Sequence, residues 1–180
     1  MRVITGSARG RRLKEPANFD IRPTTDKVKE AMFNIVQFQL EDAHVLDLFA
    51  GTGQLGIEAL SRGAASCVFV DKSMESLKIV RENLAVTGLM DKAQVTRTDS
   101  LQYLRSGQKF DLIFLDPPYA LDLLEKAIES IAAFDILNEN GIMVCESERD
   151  KLLPDLPADR FAKREYNYSR IKLTIYTKIS

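Results

Sequence analysis

Residues 44–71 restrict the fold more than any other stretch of this chain. An apolar run, His44-Val45-Leu46-Asp47-Leu48, enters Phe49-Ala50-Gly51-Thr52-Gly53. Gln54-Leu55-Gly56-Ile57-Glu58-Ala59-Leu60-Ser61 follows, and a second apolar run, Cys67-Val68-Phe69-Val70, ends at Asp71. Strand, glycine-rich turn, helix and strand make one βαβ unit, which demands a parallel sheet with a crossover helix on its face. The glycines permit a sharp turn and close approach of a ligand to the backbone, while the helix start at Gln54 or Leu55 offers unpaired N–H groups. Asp71, at the carboxyl end of the second strand, is placed to accept hydrogen bonds from both hydroxyls of a ribose. The unit therefore reads as a nucleotide-type binding site.

Gly51, Gly53 and Gly56 fit G-x-G-x-x-G with an acidic residue about 20 residues downstream, so a dinucleotide is one occupant the letters allow. Asp47 argues for another. It ends the first strand facing the glycine turn, where a carboxylate repels a pyrophosphate but attracts the ammonium of an amino-acid moiety. Phe49 and Ala50 also lengthen the turn ahead of the first glycine. The run Asp47-x-Phe49-x-Gly51-x-Gly53 resembles motif I of the class I S-adenosylmethionine-dependent methyltransferases.

From His44 onward strands and helices alternate, with strands expected near 44–48, 66–71, 92–97, 111–115 and 141–146 and helices near 54–62, 73–87, 99–105 and 121–134. Such alternation implies right-handed crossovers, helices on both faces and a ligand across the carboxyl ends of the strands at the switch point. Past Pro154 and Pro157, residues 160–166 and 171–176 read as two further strands forming a closing antiparallel hairpin. The 180 residues, 45% apolar and 28% charged, suit one globular domain with a sizeable core. No apolar run approaches the roughly 20 residues that span a bilayer, and Met1-Arg2-Val3-Ile4-Thr5-Gly6 lacks the apolar centre of a signal peptide, so a cytoplasmic protein is expected. Cys67 and Cys145 lie in apolar runs and read as reduced core residues. With His44 the single histidine, they make no metal site.

The net charge of −1 hides an asymmetry. Residues 1–29 carry eight basic side chains against three acidic ones, a local +5, leaving −6 for the remainder. Within them, residues 2–5 and 11–14 read as two short strands around a glycine-bearing loop, a basic hairpin occupying residues 1–20 ahead of a catalytic domain at 21–180. A localised polyanion contact is the function such a basic segment suggests. Arg22-Pro23-Thr24-Thr25 then opens a helix capped by Thr24 or Thr25, whose apolar positions Val28, Ala31, Met32, Ile35 and Val36 carry it towards Gln39.

The most specific chemistry lies in Phe110-Asp111-Leu112-Ile113-Phe114-Leu115-Asp116-Pro117-Pro118-Tyr119. A buried strand ends in Asp-Pro-Pro-Tyr, and the fourth strand of this order adjoins the first across the switch point. An amine conjugated to an aromatic ring is a weak nucleophile, because its lone pair is delocalised. A carboxylate and a backbone carbonyl accepting its two N–H groups favour the charge that develops on nitrogen during methyl transfer. Asp116 and the Pro117 carbonyl offer that pair, the prolines stiffen the loop, and Tyr119 offers a face for stacking a planar base. Asp99 opens a short helix with Ser100 after the third strand, as a cap or as an adenine ligand, and Lys72 either flanks the cofactor or is solvated.

Taken with Arg2-Val3-Ile4-Thr5-Gly6, Arg9-Gly10-Arg11-Arg12-Leu13 and Arg22-Pro23-Thr24-Thr25-Asp26-Lys27-Val28-Lys29-Glu30, these motifs resemble, over essentially the whole chain, the bacterial RsmD family of 16S ribosomal RNA guanine-N2 methyltransferases. The resemblance implies a Rossmann-like α/β class I methyltransferase with a seven-stranded mostly parallel sheet, a closing antiparallel hairpin and an N-terminal β-hairpin extension. It implies methyl transfer from S-adenosyl-L-methionine to one guanine, position 966 in the family, within the 30S subunit or an assembly intermediate. Asp116, Pro117 and Tyr119 take the catalytic role, and Asp47, Phe49, Gly51, Gly53, Asp71, Lys72, Asp99 and Ser100 the cofactor. Arg9, Arg11, Arg12, Arg22 and Thr24 meet the RNA, with no metal, membrane or obligate protein subunit. The alternatives are an amine methyltransferase acting on another nucleic acid or on a protein side-chain amide, a non-catalytic RNA-binding protein that keeps the fold, and a dinucleotide-dependent oxidoreductase. Intact Asp47, Asp71 and Asp116 disfavour the non-catalytic protein, and the lack of a second substrate domain disfavours the oxidoreductase.

Overall fold

A computed structural model describes residues 1–17, 24–118 and 122–179. Seven strands form one sheet in the order β3-β2-β1-β4-β5-β7-β6. The first five are β1 (His44–Asp47), β2 (Ser66–Asp71), β3 (Ala93–Arg97), β4 (Phe110–Leu115) and β5 (Leu137–Glu148), and they run parallel. β6 (Phe161–Tyr168) and β7 (Ile171–Lys178) close the sheet as an antiparallel pair, β7 lying between β5 and β6. The mostly parallel sheet with its closing hairpin is the one expected. Its chain order reverses between β1 and β4, so their carboxyl ends flank the crevice where such sheets bind ligands.

Alternation along each strand splits the core in two. Val45, Leu112, Phe114, Ile142 and Val144 face one side, beneath α1 (Asp26–Ile35), α2 (Gln54–Ser61) and α3 (Met74–Thr87). Leu46, Leu48, Ile113, Leu115 and Met143 face the other, beneath α4 (Ser100–Tyr103) and α5 (Leu123–Ala133). On the first side the Phe33 and Phe114 rings, both fully buried, lie 5.4 Å apart and tie α1 to β4. Such a pair contributes about 0.5–1.5 kcal/mol beyond its buried area. Gly56 lets α2 sit directly on β2: a Cβ there would stand 2.4 Å from Phe69 Cε1 and 2.7 Å from Cys67 Sγ.

The expected element boundaries hold with local exceptions. α1 stops at Ile35 and a 3-10 turn covers Gln37–Gln39, while α4 is a single turn continued by the 3-10 turn Leu104–Ser106. β5 is much longer than the expected 141–146, starting at Leu137 and passing an irregular pairing between Phe110 and Leu112 on β4. Asn140, with φ 65°, sits in that irregular stretch.

The N-terminal segment corrects the sequence reading in one respect. Residues 2–5 and 11–14 do not form two strands; one antiparallel bridge joins Arg2 to Arg12. Backbone bonds from Val3 N–H to the Arg11 carbonyl and from Leu13 N–H to the Met1 carbonyl flank that bridge, and beyond it the N–H groups turn to α2. Ile4 and Thr5 N–H donate to the Glu58 carboxylate at 2.8 and 3.0 Å, Ser7 N–H donates to the Ser61 carbonyl, and Ala8 N–H to Ser61 Oγ. Val3, Ala8 and Leu13 are buried in the same core as Met32 and Phe33. Glu58 also holds Lys29 Nζ at 3.2 Å and Arg62 Nε at 2.8 Å, all within the interior or its margin. Burial alone would raise the Glu58 carboxyl, but the Ile4 N–H, Arg62, Lys29 and Thr5 N–H together hold it below its usual range.

Candidate active site

Strand-end carboxylates gather at the switch point, as a parallel sheet dictates when each strand ends on an acidic residue. Asp47 ends β1, Asp71 ends β2, Asp116 follows β4, and Glu146 lies near the end of β5. Asp47 is 2% exposed, and its Oδ2 accepts the Gly56 N–H at 3.0 Å. Gly53, the N-cap of α2, has no side chain, so Asp47 supplies from β1 the acceptor a capping residue ordinarily provides. Burial pushes its carboxyl up to about 7 against the Gly56 hydrogen bond, and Asp71 adds to the rise. Burial penalises the ionised form, and a cation arriving at this turn would offset that penalty.

Gly51 (φ 57°) and Gly53 (φ 82°) adopt the left-handed backbone that only glycine takes without strain. No atom stands within 4 Å of a Cβ placed on Gly51, so the turn has open space above it. Asp71 holds the turn from the next strand: Oδ2 accepts the Gly51 N–H at 3.0 Å and Oδ1 the Ser73 N–H at 2.9 Å. A carboxylate has about four lone-pair positions, so two remain for a ribose. Asn83, buried on α3, donates to the Thr52 and Lys14 carbonyls and accepts the Lys14 N–H at 2.6 Å, stapling the turn to the N-terminal segment.

Other expected cofactor residues line the same edge. Phe49 is half-buried against the α4 and α5 side of the core, and exposed Lys72 offers its carbonyl to Arg97 Nε at 3.3 Å. Asp99 caps α4, its Oδ1 accepting from Leu101 and Gln102 N–H at 3.0 and 3.1 Å, and Ser100 is buried behind it. The cap accounts for one carboxylate oxygen.

Asp116 is half-buried at the end of β4, followed by buried Pro117 and exposed Pro118. Thr24, 6% exposed, donates to Glu146 Oε2 at 2.9 Å and lies 3.3 Å from Asp116 Oδ2. Burial, and then the neighbouring Glu146, drive the Asp116 carboxyl well above its usual range, and Asp47 pushes in the same direction. Glu146 escaped the sequence reading. Its signal was there, a single carboxylate closing the apolar run Ile142-Met143-Val144-Cys145 as Asp116 closes its own.

Tyr119 and Arg22 lie outside the described residues. Arg9, Arg11 and Arg12 are exposed, and the loop carrying Arg9 docks on Ser61 at the far end of α2 from Gly53. Eight residues of helix rise about 1.5 Å each, so that loop stands about 12 Å from the glycine turn. Thr24 faces the two carboxylates. His44 lies at the amino end of β1, away from the site, with Nδ1 2.7 Å from Ser66 Oγ. Cys67 and Cys145 are buried free thiols pushed up by burial.

The model of a family described as "Conserved hypothetical protein 95" matches residues 1–177. The Ribosomal RNA small subunit methyltransferase D of Escherichia coli strain K12 is 34% identical over 179 residues, covering 99% of this chain and 90% of the relative. The chain belongs to the RsmD family. YlbH of Bacillus subtilis is 42% identical over 182 residues, 99% of either chain. The solved structure of Escherichia coli yhhF superposes on this RsmD-family chain with a TM-score of 0.88 at 33% identity, covering 99% of this chain and 98% of that one. The fold is accordingly the Rossmann-like class I methyltransferase fold. No helix among the described residues is long and apolar enough to cross a membrane.

Proposed function

We propose that this protein transfers the methyl group of S-adenosyl-L-methionine to the exocyclic N2 amine of one guanine of 16S ribosomal RNA, the family target at position 966, within the 30S subunit or an assembly intermediate. One observation carries the reading: a carboxylate after β4, followed by Pro117, beside an open glycine turn whose own strand-end carboxylate, Asp47, is buried against the turn. The residues suit the cofactor. Asp47 draws its ammonium, Asp71 accepts from its ribose, Gly51 and Gly53 leave room for its chain, Asp99 and Ser100 border its adenine, and Phe49 and Lys72 flank it. When bound, the cofactor supplies a methyl carbon made electrophilic by an adjacent sulfonium.

Asp116 and the Pro117 carbonyl accept the two N–H groups of the amine, which aims its lone pair and favours the positive charge growing on nitrogen. Tyr119 stacks on the base. Arg9, Arg11, Arg12 and Arg22 add phosphate contacts; with Arg9 about 12 Å along α2, its partner is RNA outside the target nucleotide. The test is incubation with methyl-labelled S-adenosylmethionine and naked 16S RNA, 30S particles or whole ribosomes, followed by nucleoside analysis. Label in N2-methylguanosine supports the reading, and label confined to another nucleoside or to protein refutes it.

A further inference from the structure

Glu146 is buried to 3% exposure beside the reacting edge. It stands one residue past the Leu115–Cys145 register pair, so Asp116 and Glu146 are neighbours on the face that α1 covers. One geometric fact defines the pair. Thr24 Oγ1 lies within hydrogen-bond distance of both carboxylates, yet a hydroxyl has one proton to donate. Glu146 also raises the Asp116 carboxyl, because two carboxyl groups held at one hydroxyl cannot both ionise without cost.

The surrounding charges agree with one proton per pair. β1 contributes Asp47, a further negative neighbour. α1 contributes Lys29, which is held by Glu58 of α2 and the Arg2 carbonyl. β7 sets Leu173 opposite Glu146, and β6 sets Tyr166 beyond Leu173 on the same face.

We propose that Glu146 and Thr24 are positioning residues for Asp116, the two carboxylates sharing one proton that rests on Glu146 when a substrate amine donates its N–H to Asp116. The inference rests on the methyltransferase reading and deepens it. As the methyl carbon bonds to nitrogen, the electron pair of the broken S–C bond stays on sulfur, and the surplus proton on nitrogen passes to Asp116. Asp116 and Glu146 are then both neutral, and one proton leaves to solvent to restore the pair. Thr24 favours the ionised form of Asp116 while Glu146 opposes it, so removing them acts in opposite directions.

The experiment uses the full chain and its Glu146→Gln, Thr24→Val and Thr24→Ser variants. Carboxyl carbon NMR, with the Asp116 resonance identified by its loss in Asp116→Asn, gives the Asp116 titration midpoint without RNA. Single-turnover methylation of 30S particles gives the acid limb of the rate. Glu146→Gln moves both down by about one pH unit or more, Thr24→Val moves both up, and Thr24→Ser restores the parent. A midpoint unmoved by Glu146→Gln, or displaced the same way by Glu146→Gln and Thr24→Val, overturns the proposal. If Glu146→Gln does not fold, the contrast between Thr24→Val and Thr24→Ser decides alone, no displacement by Val being the overturning result. Absence of methylation by the parent refutes the functional reading, and the NMR titration still judges the shared proton.

Discussion

Cofactor affinity is expected to fall as the medium becomes acidic, because Asp47 must be ionised to meet an ammonium group. Burial, and to a lesser degree Asp71, lift the Asp47 carboxyl to about 7. Each pH unit below that value adds about 1.4 kcal/mol for removing the proton, or tenfold in affinity. Between pH 7 and pH 5, where the ligand ammonium stays charged, affinity should drop by about 10²-fold and binding should release close to one proton at the lower end. Asp47→Asn abolishes the slope and weakens binding at neutral pH by about 1.5–3 kcal/mol, the range for a hydrogen bond to a charged group. The same shift affects stability with a definite sign. A carboxyl raised on folding holds a proton that the unfolded chain gives up, so its contribution falls as pH rises from about 4 to about 7. Calorimetry in two buffers of different ionisation enthalpy measures both affinity and proton release. Equal affinity at pH 5.5 and 7 without proton release would refute the placement of the ammonium on Asp47.

Gly56→Ala should destabilise the protein by about 1–3 kcal/mol through overpacking against Phe69 and Cys67, less the ~1 kcal/mol a helix gains from alanine, as read in urea denaturation. A more stable variant would show that α2 has room to move. Glu58→Ala strands buried Lys29 and should cost about 3–5 kcal/mol, whereas pairing Glu58→Leu with Lys29→Met should recover much of the loss; equal costs for both would contradict the ion-pair account. Replacing Arg9, Arg11 and Arg12 together by Ala should weaken RNA binding, lower its log–log salt slope by about one per lost phosphate contact and leave cofactor affinity intact. An unchanged slope would mean that these arginines are only solvated.

The βαβ unit was legible because three signals coincide in it: two buried strands, glycines where the backbone turns left-handed, and acidic residues at strand ends. Asp47, Asp71 and Asp116 were found by that logic, and Glu146 obeys it too. It was passed over because nothing beside it in sequence marks a turn, and only the β4–β5 register shows that it adjoins Asp116. The extent of the N-terminal hairpin was misjudged for a related reason. Residues 1–3 and 11–13 do pair, but Glu58 and Ser61, more than 50 residues away, take the N–H groups of Ile4, Thr5 and Ala8 that would carry the ladder further. Thr24 read as a helix cap or an RNA contact, and its inward hydroxyl depends on carboxylates 92 and 122 residues away. Partners so distant leave no local pattern.

Asp116 bears the central claim, and the rate of a single methyl transfer measures it most directly. Asp116→Asn keeps the shape and one acceptor oxygen but removes the charge. With excess enzyme on 30S particles, the variant should methylate guanine about 10²-fold or more slowly while binding S-adenosylmethionine within about twofold of the parent, as expected for loss of one preorganised electrostatic group. A variant that transfers at the parental rate would contradict the account.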